Sequence, residues 1–214
     1  MDSKDFLDEK IIELLDRVEN YANEYPGSDQ QENGDIVEQS LETGIVVDRK
    51  LVEFERKTVI EGKLTIMLPI DFTKMNPDIA RLKYPSEQRP QVIFTDPNNS
   101  VNFWVTRGED FVEEKSIENL RDQVFATIQR LNPAIKIQQS GVEIVSDRKV
   151  AYVEYSNPVI DGKIYNVMVF LAIDEKVTIV CFNCITKSAK YWRNPMMEML
   201  KSMQFTTDKR REIK

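Results

Sequence analysis

The chain has 214 residues and a mass of 24.9 kDa, with 41% apolar and 30% charged residues, which suits one globular domain and an appendage. It holds no histidine, and this excludes Ser-His-Asp and Cys-His nucleophile systems, His-based zinc sites and any histidine pH switch. The net charge of −7 is uneven: residues 1–48 carry 14 acids and 3 bases (net −11), residues 49–214 carry 22 acids and 26 bases (net +4). An acidic arm repels phosphates, so neither nucleic acid nor anionic lipid is expected as a partner. The longest apolar run, Val167 to Ile173, is too short for a bilayer, and the first residues lack the basic and apolar regions of a secretory signal. The expectation is a cytoplasmic chain without membrane insertion.

Phe6, Leu7, Ile11, Ile12, Leu14, Leu15 and Val18 recur at three-, four- and seven-residue spacings with acids between them, the pattern of an amphipathic helix. Residues 1–19 are therefore assigned to that helix. Residues 20–43 hold few aliphatics and many Gln, Asn, Glu and Asp residues, and read as an acidic polar linker. The body is expected over 44–205, with 206–214 as a polar tail.

Within the body, Lys50 to Ile60, a turn at Glu61-Gly62 and Leu64 to Leu68 closed by Pro69 read as a hairpin. Asn76-Pro77 opens a short helix to Leu82. Gln91 to Thr95, the turn Asp96-Pro97-Asn98-Asn99 and Val101 to Thr106 form a second hairpin. Ile117, Leu120, Val124, Phe125, Ile128 and Leu131 share a helical face between Ser116, the expected N-cap, and the stop at Asn132-Pro133. Four strands follow in meander order: Ile135 to Val145, Val150 to Ser156, Lys163 to Ile173 and Val177 to Thr186. The last two are apolar on both faces, which places them centrally in a sheet covered on both sides. A closing helix within Ser188 to Met203 contains Pro195, so its start is expected near Asn194, with Lys190 to Arg193 as a separate turn.

Few motifs carry chemistry. Cys181-Phe182-Asn183-Cys184 matches the spacing of a redox pair or half a metal site. On a strand, however, a spacing of three puts the sulfurs on opposite faces, and there is no other Cys to complete a site. Two buried reduced thiols are expected. Glu109, Asp110, Glu113 and Glu114 lack the order of a calcium loop and read as a solvated approach to the following helix. No glycine pattern supports nucleotide binding, and no cofactor or metal is expected. Trp104 lies beside Asn102 and Thr106, on the strand face opposite Val101, Phe103 and Val105. Something must cover that indole: either a helix of the same chain or a protein partner for which Trp104 and Arg107 act as anchors.

Two stretches carry a family resemblance. Lys63-Leu64-Thr65-Ile66-Met67-Leu68-Pro69-Ile70-Asp71-Phe72 resembles the opening strand of the PsbP/DcrB-like superfamily. Ile179 to Cys184, Trp192, Pro195 and Leu200-Lys201-Ser202-Met203-Gln204-Phe205 resemble its closing strand and helix. The superfamily includes photosystem PsbP proteins, a Ran nucleotide-release factor and bacterial chaperone-like adaptors of secretion systems. The resemblance implies an α+β fold, a largely antiparallel sheet flanked by helices (an α/β/α sandwich), and a non-enzymatic binder with no catalytic residues to carry over.

The resulting expectation is a protein-binding adaptor or chaperone-like module. Partner contacts are assigned to Trp104 and Arg107 on the body and to Leu7, Ile11 and Leu15 on the arm. The alternatives are a small-molecule binder or enzyme, with Tyr residues or carboxylates such as Glu109, Asp110, Glu143 and Glu154 between the sheet and helix 116–131, and a structural subunit of a homo-oligomer.

Overall fold

The computed structural model describes residues 39–206 apart from 88, 160 and 161. The arm positions Leu7, Ile11 and Leu15, most of the linker and the tail beyond 206 lie outside the described residues. The chain divides into two units between Glu53 and Phe54. Of the first, the described part is a hairpin of β1 (Ile45–Val47) and β2 (Lys50–Val52). Its turn residues Asp48 and Arg49 both have positive φ, as a tight hairpin turn with the right twist requires. The strand expected from Lys50 to Ile60 is thus broken at Glu53, and residues 44–53 group with the preceding unit instead of opening the body.

The second unit is built on a seven-stranded antiparallel sheet in the order β5-β6-β7-β11-β10-β9-β8. Its strands are β5 (Thr73–Lys74), β6 (Val92–Thr95), β7 (Val101–Phe111), β8 (Lys136–Val145), β9 (Arg148–Val159), β10 (Gly162–Ile173) and β11 (Lys176–Ile185). The two strands that are apolar on both faces, β10 and β11, lie inside the sheet as expected. A three-stranded sheet joins β3 (Phe54–Ile60), β4 (Leu64–Pro69) and β12 (Gln204–Phe205). The turns at Ser146-Asp147 and Asp174-Glu175 take positive φ without glycine.

Helices cover both faces. The short α1 (Pro77–Lys83) is capped by Asn76, whose side chain accepts from the Asp78 amide at 2.8 Å. The long α2 (Ile117–Leu131) buries Ile117 and Phe125 against Ala151, Val153, Tyr155, Met168, Phe170 and Cys181 of the sheet. Ser116 precedes it but makes no capping bond, because the helix is entered through a 3-10 turn, Glu114–Ser116. On the other face, Arg193 of α3 (Ala189–Lys201) bonds Glu154 of β9 and Lys57 of the small sheet lies over the Phe94 ring, while Phe72, after β4, packs at a tilt against Trp192 with ring centroids 6.1 Å apart.

Helix α3 does not begin at Asn194. It starts at Ala189 after a 3-10 turn, Thr186–Ser188, and runs through Pro195. An interior proline costs about 3 kcal/mol. After it Met196, Met199 and Leu200 are fully buried, about 2 kcal/mol each, and before it Trp192 packs on Phe72 and Arg193 bonds Glu154, so packing on both sides keeps the helix continuous across the missing N–H.

Candidate functional site

The carboxylates proposed for acid–base work are not brought together. Glu109 and Asp110 lie at the exposed end of β7, which runs five residues past the expected Thr106, and Glu109 pairs with Lys176. Glu113 pairs with Lys115 at 2.6 Å, and Glu114 accepts from the Lys149 amide at 2.7 Å. The acidic stretch is therefore a strand end and a 3-10 turn, not a helix approach alone. Glu143 and Glu154 face α3, the side of the sheet away from α2, because both stand one residue out of phase with Val142 and Val153. No group of three or more Cys, Asp or Glu side chains able to hold a metal occurs among the described residues.

Glu154 is the exception among exposed acids: it is 1% exposed. Arg193 of α3 grips it with two bonds, Nε to Oε2 at 2.7 Å and Nη2 to Oε1 at 2.8 Å, and the Tyr165 hydroxyl donates to Oε2 at 2.5 Å. Arg193 also reaches Gln139 of β8 at 2.9 Å, and Gln139 donates to the Tyr152 hydroxyl at 3.2 Å. Burial and the Glu154 bond push the Tyr165 hydroxyl well above its ordinary value, and Glu154 raises Arg193. This network ties α3 to β9 and β8. A protonated phenol and a paired carboxylate have no free group with which to move a proton, so its chemistry is cohesion.

Trp104 is half-buried and packs against two apolar clusters, one under α2 and one formed by Met75, Ala80 and Ile93 with α1. Its strand face, read as polar from Asn102 and Thr106, is covered by helices of the same chain. Arg107 is also engaged internally: Nη2 donates to the Ile173 carbonyl and to Asp174, each at 3.1 Å, and Asp174 also pairs with Lys63. Its backbone is paired by the Gln91 side chain, which extends β6 by an amide that imitates a further strand residue. A cleft of about 350 Å³ lies beside it, lined by Val59, Ile60, Glu61, Gln91, Val92 and Arg107 among others. Cys181 and Cys184 are free and buried on opposite faces, and burial pushes the Cys184 thiol up to about 12 and Cys181 higher still.

The longest open sheet edge among the described residues is β8. β8 is ten residues long, pairs with β9 on one side, and has no second neighbour in the sheet among the described residues. Lys136 to Ser140 are exposed, and Ile137 and Ile144 show 42% and 69% of their surface. Both isoleucines lie on the α2 face, opposite Tyr155 and Lys149. Gln138 stands unpaired in a register shift between Ile137 and Gln139, a bulge of the kind that twists sheet edges. At the centre, the Arg121 guanidinium, 8% exposed, donates to the Gly141 carbonyl at 2.8 Å. Gly141 itself is dictated by Tyr152: a Cβ there would stand 2.7 Å from the tyrosine hydroxyl oxygen and 2.8 Å from its ring.

No family model matches the chain, and no curated protein matches it. Among solved structures it is similar to cyanobacterial PsbP (CyanoP) from Synechocystis sp. PCC 6803, with 10% identity over 83% of this chain and 99% of that one and a TM-score of 0.52. The fold is PsbP-like. A second similar structure is LpqN of Mycobacterium tuberculosis, a protein involved in cell envelope biogenesis. It is 12% identical over 73% of this chain and 92% of that one, with a TM-score of 0.44. At such identities the likeness speaks to the fold alone.

Proposed function

We propose that the chain is a non-enzymatic protein-binding adaptor, chaperone-like in that it takes an extended segment of another protein along β8. The observation that carries this reading is the ten-residue β8 edge with Ile137 and Ile144 exposed on one face. Unpaired main-chain groups recognise any extended segment, and alternate side chains on one face add selectivity for an apolar partner. The scattered carboxylates give an enzymatic reading no comparable support, and because Trp104 and Arg107 are engaged within the chain the partner contact is assigned to β8 in place of those two anchors. Recognition by the arm through Leu7, Ile11 and Leu15 belongs to the same proposal as a second contact.

The test uses the full chain, the chain lacking residues 1–43, and an Ile137→Lys/Ile144→Lys variant. A protein captured by the full chain is purified and its affinity for each form measured directly. Two lysines on the edge are expected to weaken binding at least about tenfold, a loss of about 1.4 kcal/mol. Unchanged affinity in that variant refutes β8 as the dock. A dimer of the chain alone, dissolved by the same lysines in light scattering, would replace the foreign segment with a second copy and refute the adaptor.

A further inference from the structure

At the end of the sheet remote from β8, an open cleft of about 290 Å³ lies beside β6. The local sequence creates it. β5 pairs only with Phe94 and Thr95 of β6, and the Met75 amide adds one bond to the Ile93 carbonyl at 2.9 Å. Asn76 then caps α1 and Pro77 starts it, so the chain turns away and leaves Gln91 and Val92 without a strand on that side among the described residues. Past the helix, Pro85 and Pro90 lack the N–H that a ladder needs, and Arg89 Nε pins the returning loop to the Tyr84 carbonyl at 3.1 Å.

The walls of the cleft divide by chemistry. Met75, Ala80 and Ile93 give it an apolar floor, none of them more than 8% exposed. Lys74, Arg81 and Arg89 also line it, the first two exposed and the third half-buried, and among the described residues no acidic side chain does. These charges are little compensated. The Lys74 side chain has no hydrogen bond or ion pair among the described residues, and of the Arg89 guanidinium only Nε is bonded there. Arg81 Nη1 holds Asp78 at 2.7 Å, but both side chains of that pair are largely exposed, and such a pair is weak enough to yield to a better anion. Three cations against one acid leave a surplus of two positive charges.

We propose that this cleft binds a compact organic phosphate, a phosphate monoester carried on an apolar body. A monoester has a charge of about −2 at pH 7 and three strong acceptor oxygens, which match the surplus and the three cationic side chains. The two guanidinium groups offer planar forks for phosphate oxygens and the lysine a point charge. The body of the ligand lies on Met75, Ala80 and Ile93, and an apolar lining with a few polar groups is the usual make-up of a small-molecule site. A volume of 290 Å³, at the lower end for such sites, keeps the ligand small. The cleft and β8 lie at different ends of the sheet, so the site stands whether or not β8 takes a segment.

The experiment titrates the full chain, isotopically labelled at methyl groups and arginine side chains, with phenyl phosphate and with inorganic phosphate, using NMR and calorimetry. Saturable shifts are expected at the Ala80 and Ile93 methyls and at the Arg81 and Arg89 Nε signals, with phenyl phosphate bound about tenfold more tightly than inorganic phosphate. Lys74→Gln and Arg81→Gln should each weaken phenyl phosphate about tenfold, the loss of one charge-assisted bond. Both side chains are exposed, an unchanged thermal midpoint certifies each variant, and the wild-type shifts need no variant at all. No saturable shift with phenyl phosphate overturns the proposal. Equal affinity for the two phosphates, or full affinity in both glutamine variants, removes the floor or the cations from the site and overturns it as well. Vesicles of phosphatidylcholine and phosphatidic acid that capture the chain while phenyl phosphate does not bind would replace the soluble ligand with a lipid surface, and would also overturn it.

Discussion

Arg193→Met tests what the buried Glu154 does. The wild-type carboxylate, 1% exposed, accepts two bonds from Arg193 and one from Tyr165. Methionine keeps the length of the side chain and removes the charge, so the variant leaves a buried anion with only a phenol to solvate it. Breaking a buried ion pair on one side costs roughly 3–5 kcal/mol. Because the Arg193 side chain is itself 41% exposed, water reaches the vacated carboxylate, and the expected loss is at the low end, about 3 kcal/mol. Urea unfolding of the full chain, followed by far-ultraviolet circular dichroism, reads it as a lowered midpoint at constant slope. The triple variant Glu154→Leu/Tyr165→Phe/Arg193→Met removes the carboxylate, its ion-pair partner and the phenol together. Its stability should return to within about 1 kcal/mol of wild type, since replacing a whole buried cluster by apolar groups is close to neutral. A single variant that loses less than about 1 kcal/mol, or a triple variant as unstable as the single, would refute the assignment of Glu154 as a paired buried charge.

Two further outcomes follow from the same geometry. The Lys63 bond, opposed by partial burial and aided by the Arg107 and Arg148 charges, holds the Asp174 carboxyl below its usual range. A depressed folded value contributes stability that is present above the unfolded value near pH 4 and is lost as pH falls through the folded one. The gap between wild type and Asp174→Asn, under about 1 kcal/mol for a half-exposed pair, should therefore be constant near neutrality and close below pH 4. A gap that widens on acidification would contradict the pairing. The two thiols, both buried and both raised, should be silent to Ellman's reagent in the native chain and titrate as two after unfolding in urea. A thiol that reacts before unfolding would show that one face of β11 opens.

The elements that the sequence made readable are those whose signal is local. The turn at Glu61-Gly62, the Asn76-Pro77 helix start, the apolar face from Ile117 to Leu131 and the β8–β11 meander each rest on residues within a few positions of one another, and all are present. The errors arise where packing overrode a local rule. Pro195 argued for a helix start at Asn194, but Trp192 and Arg193 before it, against Phe72 and Glu154, and the buried Met196, Met199 and Leu200 after it hold the helix through the proline. Ser116 has the chemistry of a cap and makes no capping bond, because the 3-10 turn before it sets the entry of the chain.

The candidate sites were harder to read for a different reason. Alternation along β7 correctly separates Trp104 from Phe103, and it labels Asn102 and Thr106 as a polar face, but it carries no information on what lies over that face. Register supplies it. Only once Asn102, Asn183 and Asn166 fall in one row, beneath α1 and α2, do they become buried amides instead of solvent-facing ones. The same holds for Glu154, an acid between Val153 and Tyr155 whose partner, Arg193, is 39 residues away in sequence. A usable signal was present nonetheless: Asn166 precedes the longest apolar run of the chain and Asn183 sits between two cysteines. A polar residue in a strand that must be covered on both faces has to find its partner in the neighbouring strand or in a ligand. In this chain Asn102 and Asn183 find each other, and Asn166 finds Asn157 of β9.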